Sequence, residues 1–278
     1  GLGDVYKRQA FTLNDTYGFP LDLTKEILSE RGMQVDEERF RQLMQEQRER
    51  ARNARKDAGA DAWKGEGSAA AGLPETVFTG YTQMQGDGKV LAIIQNGQQV
   101  DSAAEGAEVS VVLDTTPFYG EGGGQVGDTG VLEAEGVSVD VVDTTKHEGV
   151  YLHRAVVSEG TLNVGDTLTA KVDEHRRTAI MRNHTAAHLL QAALRKVLGS
   201  HVEQAGQLVN ERHVRFDFTH FSAVTADELV KISRLVSELV LDGMRVETKE
   251  MPIDEAKKLG AIALFGEKYG DVVRVVNM

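Results

Sequence analysis

Residues 168–190 read LTAKVDEHRRTAIMRNHTAAHLL, and the character of the chain changes within them. Residues 168–172 are the last of several short strand-like runs, whereas the pattern from Asp173 onward is helical and continues to Leu198. Gly199 follows as the stop signal of that helix. A part rich in strands is therefore followed by a part with long helices, which predicts an α+β fold.

The strand-like runs before this point are short and separated by turn residues. Several such runs at this spacing are typical of a small barrel or a sandwich, which we place at residues 75–172. The predicted turns are Gly86–Gly88, Asn96-Gly97 and Val164–Asp166. The predicted strands are Val90–Gln95, Val109–Asp114, Gly130–Leu132, Val137–Val142 and Leu168–Val172.

Residues 173–278 mix helices and strands. A hairpin is predicted over 208–218, and Thr225 with Glu228 forms a capping box before a helix that ends at Gly243. A strand over 246–251, a short helix over 253–259 and a last strand over 272–276 complete an α+β region.

The N-terminal part is predicted to be helical. One helix runs from Pro20 to Gly32, and Asp36 caps a second that continues to about Lys56. Residues 57–75 form a linker rich in Ala and Gly. Residues 1–9 lack any periodicity, so we interpret them as a non-native leader. Because the last strand has no following turn, we expect a fragment that is truncated at both ends.

The composition, with 41% hydrophobic and 27% charged residues, is that of an ordinary globular protein. No apolar run is long enough to cross a bilayer, and with no Cys the chain can form neither a disulfide nor a thiolate metal site of its own. The net charge is −12, and residues 75–170 carry 15 acidic but only 3 basic side chains. This middle part would repel a phosphate backbone, so any contact with nucleic acid is expected from the flanks.

His184 and His188 are spaced i, i+4 within the long helix. Residues four apart lie on the same face one turn apart, so both imidazoles can point at one ion, as in helical zinc sites. The alternative is two His on one face without a metal. Thr185 stands where a metalloprotease motif needs Glu, and two ligands alone do not complete a zinc site.

A Gly-rich loop over 114–128 reads DTTPFYGEGGGQVGD. It lacks the Lys-Ser or Lys-Thr of a phosphate-binding loop. It is either a wide hairpin loop or a substrate-binding wall, in which Thr116 offers a hydroxyl and the backbone of Gly123, Gly124 and Gln125 lines a pocket.

Six stretches together resemble the bacterial alanyl-tRNA synthetase family, in that family's order and over about residues 10–278. They are NDTYGFPLDLT at 14–24, TPFY with GGQVGD at 116–128, RNHTAAHLL at 182–190, VEQ with Gly206 at 202–206, RFDF at 215–218 and ALFGEKY at 263–269.

The resemblance implies a domain order. Residues 10–74 would be the helical end of a tRNA-recognition domain with its linker, 75–172 a β-barrel, and 173–278 an α+β editing core. The aminoacylation domain, with its ATP and Mg²⁺, would precede residue 10. The implied partner is tRNA-Ala mischarged with serine or glycine, and the implied location is cytoplasmic.

The resemblance also implies site residues. His184 and His188 would be two of four zinc ligands, and a Cys-x-x-x-His motif beyond residue 278 would supply the others. Gln204 would be a catalytic residue of the editing site. We assign Thr116 to the same site, as the group that senses a serine hydroxyl.

The expected reaction is hydrolysis of an aminoacyl ester at the 3′ end of tRNA. Two alternatives remain open. A free-standing editing deacylase of the same superfamily would lack the helices at 20–56, and a non-catalytic RNA-binding barrel would leave the His pair and Gln204 unexplained.

Overall fold

The computed structural model describes residues 9–13, 21–30, 32–33, 35–46, 66–259 and 271–277. The chain divides into two compact units: Gly1–Ala71 with Ile94–Gln99, and Gly72–Ile93 with Val100–Met278. Of the predicted leader only Gln9 is described, and it is helical. The predicted helical stretch from 47 to 56 lies outside the described residues, and the division of the second unit at residue 172 stays a prediction.

The first unit contains the predicted helices. Helix α2 (Leu21–Glu30) is followed by a turn at Gly32, which has a φ of 68° and whose N–H donates to the Ser29 carbonyl at 3.0 Å. Asp36 caps α3 (residues 37–46), since its Oδ1 accepts from the Arg39 N–H at 2.9 Å. A small apolar core, which includes Phe11 and Phe40, packs within this unit. Its helical segments are α1 (residues 9–13), α2 (Leu21–Glu30), α3 (residues 37–46) and α4 (Glu66–Ala69).

The second unit contains a closed six-stranded antiparallel barrel, apart from Ile94 and Gln95 at the end of one strand, which belong to the first unit. With the strands numbered in chain order, the pairing order is β11-β7-β8-β9-β5-β2, and β2 pairs back to β11. Closure satisfies both edges of the sheet, which removes the exposed edges of an open one. The predicted barrel is thereby confirmed. The ring strands are β2 (Gln85–Gln95), β5 (Glu108–Leu113), β7 (Gly130–Ala134), β8 (Val137–His147), β9 (Val150–Glu159) and β11 (Thr167–Val172). The short strands are β1 (Val77–Phe78), β3 (Gln98–Val100), β4 (Ser102–Ala104), β6 (Thr115–Thr116) and β10 (Thr161–Asn163).

Apolar side chains from every strand of the ring fill the barrel. Phe118 and His153 lie among them with fully buried side chains. The remaining core includes Val90, Ile93, Val109, Val111, Leu113, Leu132, Val139, Ala155, Val157 and Leu168. Burial of this many aliphatic groups provides most of the stabilisation of the barrel.

Two expectations for the barrel fail. Strand β9 pairs with both β8 and β5 but is missing from the predicted set. Gly86–Gly88 is not a turn, because all three residues lie in β2 and pair with β11. At Gly88 a Cβ would lie 2.4 Å from the Thr115 carbonyl oxygen, so this glycine allows a close backbone approach rather than a reversal.

The rest of the second unit follows the predicted order closely. The 25-residue helix α5 is capped by Asp173, whose side chain accepts from the Arg176 N–H, and the predicted capping box at Thr225 is formed before α6. None of the described helices is long and apolar enough to cross a membrane. The elements are α5 (Glu174–Leu198), β12 (Gln204–Val209), β13 (Val214–Phe218), α6 (Ala226–Leu241), β14 (Glu247–Pro252), α7 (Ile253–Lys258) and β15 (Val272–Asn277).

Candidate functional site

Helix α5 presents the predicted His pair. The rings of His184 and His188 are parallel within 7°, and their centroids are 5.2 Å apart. His184 is partly buried, whereas His188 is exposed. Burial by the surrounding protein lowers the pKa of both imidazoles, and the nearby His188 lowers the pKa of His184 further. Both rings are therefore biased toward the neutral form, which is the form that ligates a metal.

The pair fits one zinc ion in part. Two imidazoles bound tetrahedrally at the usual zinc–nitrogen distance have ring centroids about 5 Å apart, close to the spacing of His184 and His188. Within the described residues, however, no group of three or more His, Cys, Asp or Glu could hold a metal. This part of the chain thus offers two protein ligands, fewer than the three or four of a zinc site.

The Gly-rich loop packs against β12. The Val126 N–H donates to the Val209 carbonyl at 3.1 Å, and the Val209 N–H donates to the Gly124 carbonyl at 2.8 Å. Gly124 has a φ of +77°, and a Cβ there would lie 2.7 Å from the Gln207 carbonyl oxygen. Only glycine fits this approach without strain. The loop is therefore held at a fixed place beside the hairpin.

This placement brings Gln125 to the His pair. Gln125 is 6% exposed, and its Oε1 lies 2.6 Å from His184 Nδ1. The two residues are 59 positions apart in sequence. The structure thus brings together three of the predicted site residues, Gln125, His184 and His188, and places the backbone of Gly123 and Gly124 on the same loop.

A buried ion pair anchors this arrangement. Arg177, at the end of the first turn of α5, is 4% exposed, and its Nε donates to Asp128 at 2.8 Å. Its Nη2 donates to the Pro117 carbonyl at 2.9 Å, and the Tyr119 N–H donates to Asp128 Oδ2 at 2.7 Å. One arginine thus joins α5 to both ends of the Gly-rich loop.

Sequence reasoning missed this ion pair. Arg177 shares a helical face with Ile180, His184 and Ala187 through i+3 and i+4 spacings, and Ile180 and Ala187 are buried. A charged residue on the buried face of a helix predicts a buried partner, and that was the available signal.

Thr116 lies in β6, and its side chain is fully buried. Its Oγ1 is 2.7 Å from His153 Nε2 and accepts from the Phe118 N–H at 3.2 Å. His153 Nδ1 lies 2.8 Å from the Val111 carbonyl, which can only accept, so Nδ1 carries the ring proton and Thr116 donates to Nε2. Burial lowers the pKa of His153 to about 4. The hydroxyl of Thr116 is thus engaged on both sides, and its role as a serine sensor stays a prediction.

Gln204 begins β12, where it pairs with Phe218 and is followed by an irregularity in register before Gly206. It is partly buried. Within the described residues, no hydrogen bond joins Gln204 to the His pair, so its catalytic role also stays a prediction.

Comparison with known proteins defines the class. A family model described as tRNA synthetases class II (A) matches residues 4–176. The chain therefore belongs to the class II (A) tRNA synthetase family. The match begins inside the segment that the sequence predicts to be a leader.

Within that class the chain is homologous to alanine–tRNA ligases. It is 51% identical over 278 residues to the alanine–tRNA ligase of Acetivibrio thermocellus, 48% over 279 residues to that of Bacillus subtilis and 46% over 273 residues to that of Clostridioides difficile. These matches cover 98–100% of this chain but 31–32% of each relative. The chain spans about a third of the length of the curated relatives it matches, and the resemblance seen in the motifs is confirmed.

Proposed function

We propose that this chain is the editing part of an alanine–tRNA ligase and hydrolyses the ester of seryl-tRNA-Ala or glycyl-tRNA-Ala. The observation that carries the proposal is the contact of His184 with Gln125, 2.6 Å from Nδ1 to Oε1, which joins a His-x-x-x-His helix to a Gly-rich loop. A helix face that carries two imidazoles biased toward the neutral form thus lies beside the Gly-rich loop, an arrangement suited to holding a small polar group beside a metal.

The selectivity of amino-acid recognition explains why such a site is needed. Serine differs from alanine by one hydroxyl and glycine lacks one methyl, and a single binding pocket separates such substrates by only about 1–3 kcal/mol. A second site that hydrogen-bonds the serine hydroxyl accepts seryl-tRNA and leaves alanyl-tRNA intact. In this proposal the Gly-rich loop lines that second site and Thr116 reads the hydroxyl.

Zinc is part of the proposal, with His184 and His188 as its ligands from this chain. When bound, zinc would polarise the ester carbonyl or lower the pKa of a bound water. The protein's own contribution is to keep the two imidazoles biased toward the neutral form and to hold the loop, through Gln125 and the Arg177–Asp128 pair, at the mouth of the site. Gln204 would orient the ester or the attacking water.

The partner in this proposal is mischarged tRNA-Ala, and the location is cytoplasmic. ATP and Mg²⁺ belong to the aminoacylation part of the parent ligase. The alternative of a free-standing deacylase is disfavoured, because the alanine–tRNA ligases of Acetivibrio thermocellus and Bacillus subtilis match nearly the whole chain, including its N-terminal helices.

The test is release of labelled serine from seryl-tRNA-Ala, with alanyl-tRNA-Ala as the control substrate. We expect slow hydrolysis by the chain as it stands, faster hydrolysis when a downstream Cys-x-x-x-His segment of the family is appended, and loss of most of that activity in His184→Ala. Equal hydrolysis of both substrates, or a His184→Ala variant as active as the wild type, would contradict the proposal.

A further inference from the structure

The hydrogen bond between Gln125 and His184 determines which ring nitrogen of His184 is free. Gln125 Oε1 has no hydrogen and accepts only, so His184 Nδ1 must carry the ring proton in this 2.6 Å contact. Nε2 is then unprotonated and has its lone pair available. The contact therefore selects one tautomer of His184.

The rigidity of the Gln125 backbone makes this selection firm. The Gln125 N–H and carbonyl pair with Gly122 at 3.0 and 3.1 Å, and the adjacent Val126 bonds to β12. The side chain is 6% exposed, so water does not compete freely for Oε1. A buried acceptor can hold an imidazole ring in one orientation when its own backbone is fixed by hydrogen bonds at both the N–H and the carbonyl.

We propose that Gln125 is a positioning residue that fixes the tautomer and orientation of His184, so that Nε2 is presented to the metal. This inference rests on the proposed function for the identity of the metal, but the tautomer itself does not. It changes the predicted role of Gln125 from a substrate-binding to a ligand-orienting residue. Outer partners of this kind typically change metal affinity 10–100-fold when they are removed.

The first test reads the tautomer directly in the metal-free chain. Long-range ¹⁵N–¹H NMR of the imidazole distinguishes a proton on Nδ1 from one on Nε2. We expect the Nδ1–H form of His184 in the wild type and in Gln125→Glu, which keeps an acceptor, and a shift toward the Nε2–H form in Gln125→Leu. An Nε2–H form in the wild type, or no change in Gln125→Leu, would overturn the inference.

The second test measures zinc affinity by competition with a chromophoric chelator. Gln125→Leu should bind zinc at least tenfold more weakly than the wild type, and Gln125→Glu should stay within about threefold. Gln207→Leu is the matched control, since Gln207 Nε2 donates to Gly123 O at 2.5 Å on the same loop but does not bond to either His. A loss as large in Gln207→Leu as in Gln125→Leu would assign the effect to loop stability and overturn the inference.

The two proposals fail separately. If Gln125→Leu shifts the tautomer of His184 and weakens zinc binding while no variant changes serine release, the positioning role of Gln125 is supported and the editing function is contradicted. If the tautomer is independent of Gln125 while His184→Ala abolishes serine release, the editing function stands and the positioning role falls.

Discussion

Two stacked His pairs in this molecule have nearly the same ring geometry. The His184 and His188 centroids are 5.2 Å apart with an interplanar angle of 7°, and those of His201 and His220 are 5.1 Å apart at 17°. The first pair lies on one helix, whereas the second joins the loop after α5 to the loop after β13.

The pairs differ in what their nitrogens contact. His201 Nε2 and His220 Nδ1 are 2.9 Å apart and bond to each other, beside a Phe221 that is 75% exposed. His184 instead bonds outward to the buried Gln125. When the two histidines of a pair hydrogen-bond to each other, one ring-nitrogen lone pair is occupied and cannot bind an ion. Ring stacking alone therefore does not indicate a metal site. The partner of each ring nitrogen does.

The largest expected effect concerns the anchor of the first pair. Arg177→Leu leaves Asp128 buried without its partner, and breaking a buried ion pair in this way costs about 3–5 kcal/mol. We expect that loss in the free energy of unfolding measured by urea denaturation. Arg182→Leu, on the exposed side of the same helix, should change it by less than about 0.5 kcal/mol. Equal effects in the two variants would show that Arg177 is not the anchor.

The next largest effect is the pH dependence of stability that comes from His153, the histidine buried inside the barrel. The folded pKa of His153 is about 4, below the ordinary value of about 6.5. Between these values the unfolded chain binds the proton and the folded chain does not. The contribution of neutral His153 to the free energy of unfolding is therefore fully present above about pH 6.5, and about 3 kcal/mol of it is lost as the pH drops to 4. His153→Gln should remove most of this dependence in urea denaturation at pH 7 and pH 4.5, and an unchanged slope would refute the assignment.

Zinc binding gives a direct comparison of the two pairs. His188→Ala should weaken zinc affinity at least tenfold, which is about 1.4 kcal/mol, because it removes one of two ligands from one helix face. His220→Ala should leave the affinity within about twofold. A larger loss of zinc affinity in His220→Ala than in His188→Ala, measured by the same chelator competition, would contradict this prediction.

The smallest effect is expected at the exposed pair. Phe221→Ala removes a ring that stacks on His201 at 4.5 Å but is 75% exposed, so it should change the free energy of unfolding by no more than about 0.5 kcal/mol. A loss of 2 kcal/mol or more by thermal or urea denaturation would reveal a structural role for this cluster.

Sequence reasoning was most accurate where structure is local. The caps at Asp36 and Thr225 and the stop at Gly32 formed as predicted, because each depends on hydrogen bonds within about four residues. Strand β9 was missed, since its first four residues are all buried and His153 and Arg154 interrupt its apolar pattern.

The long helices, the α+β class and the His pair on one helix face could be read from the sequence, because period and capping are local properties of the chain. Packing of distant segments places Gly88 inside a strand, bonds Thr116 to His153 and brings Gln125 to His184. The last two contacts span 37 and 59 residues. They exist because the barrel closes and α5 docks on its loop, and no local pattern encodes the distance between two segments that only packing brings together.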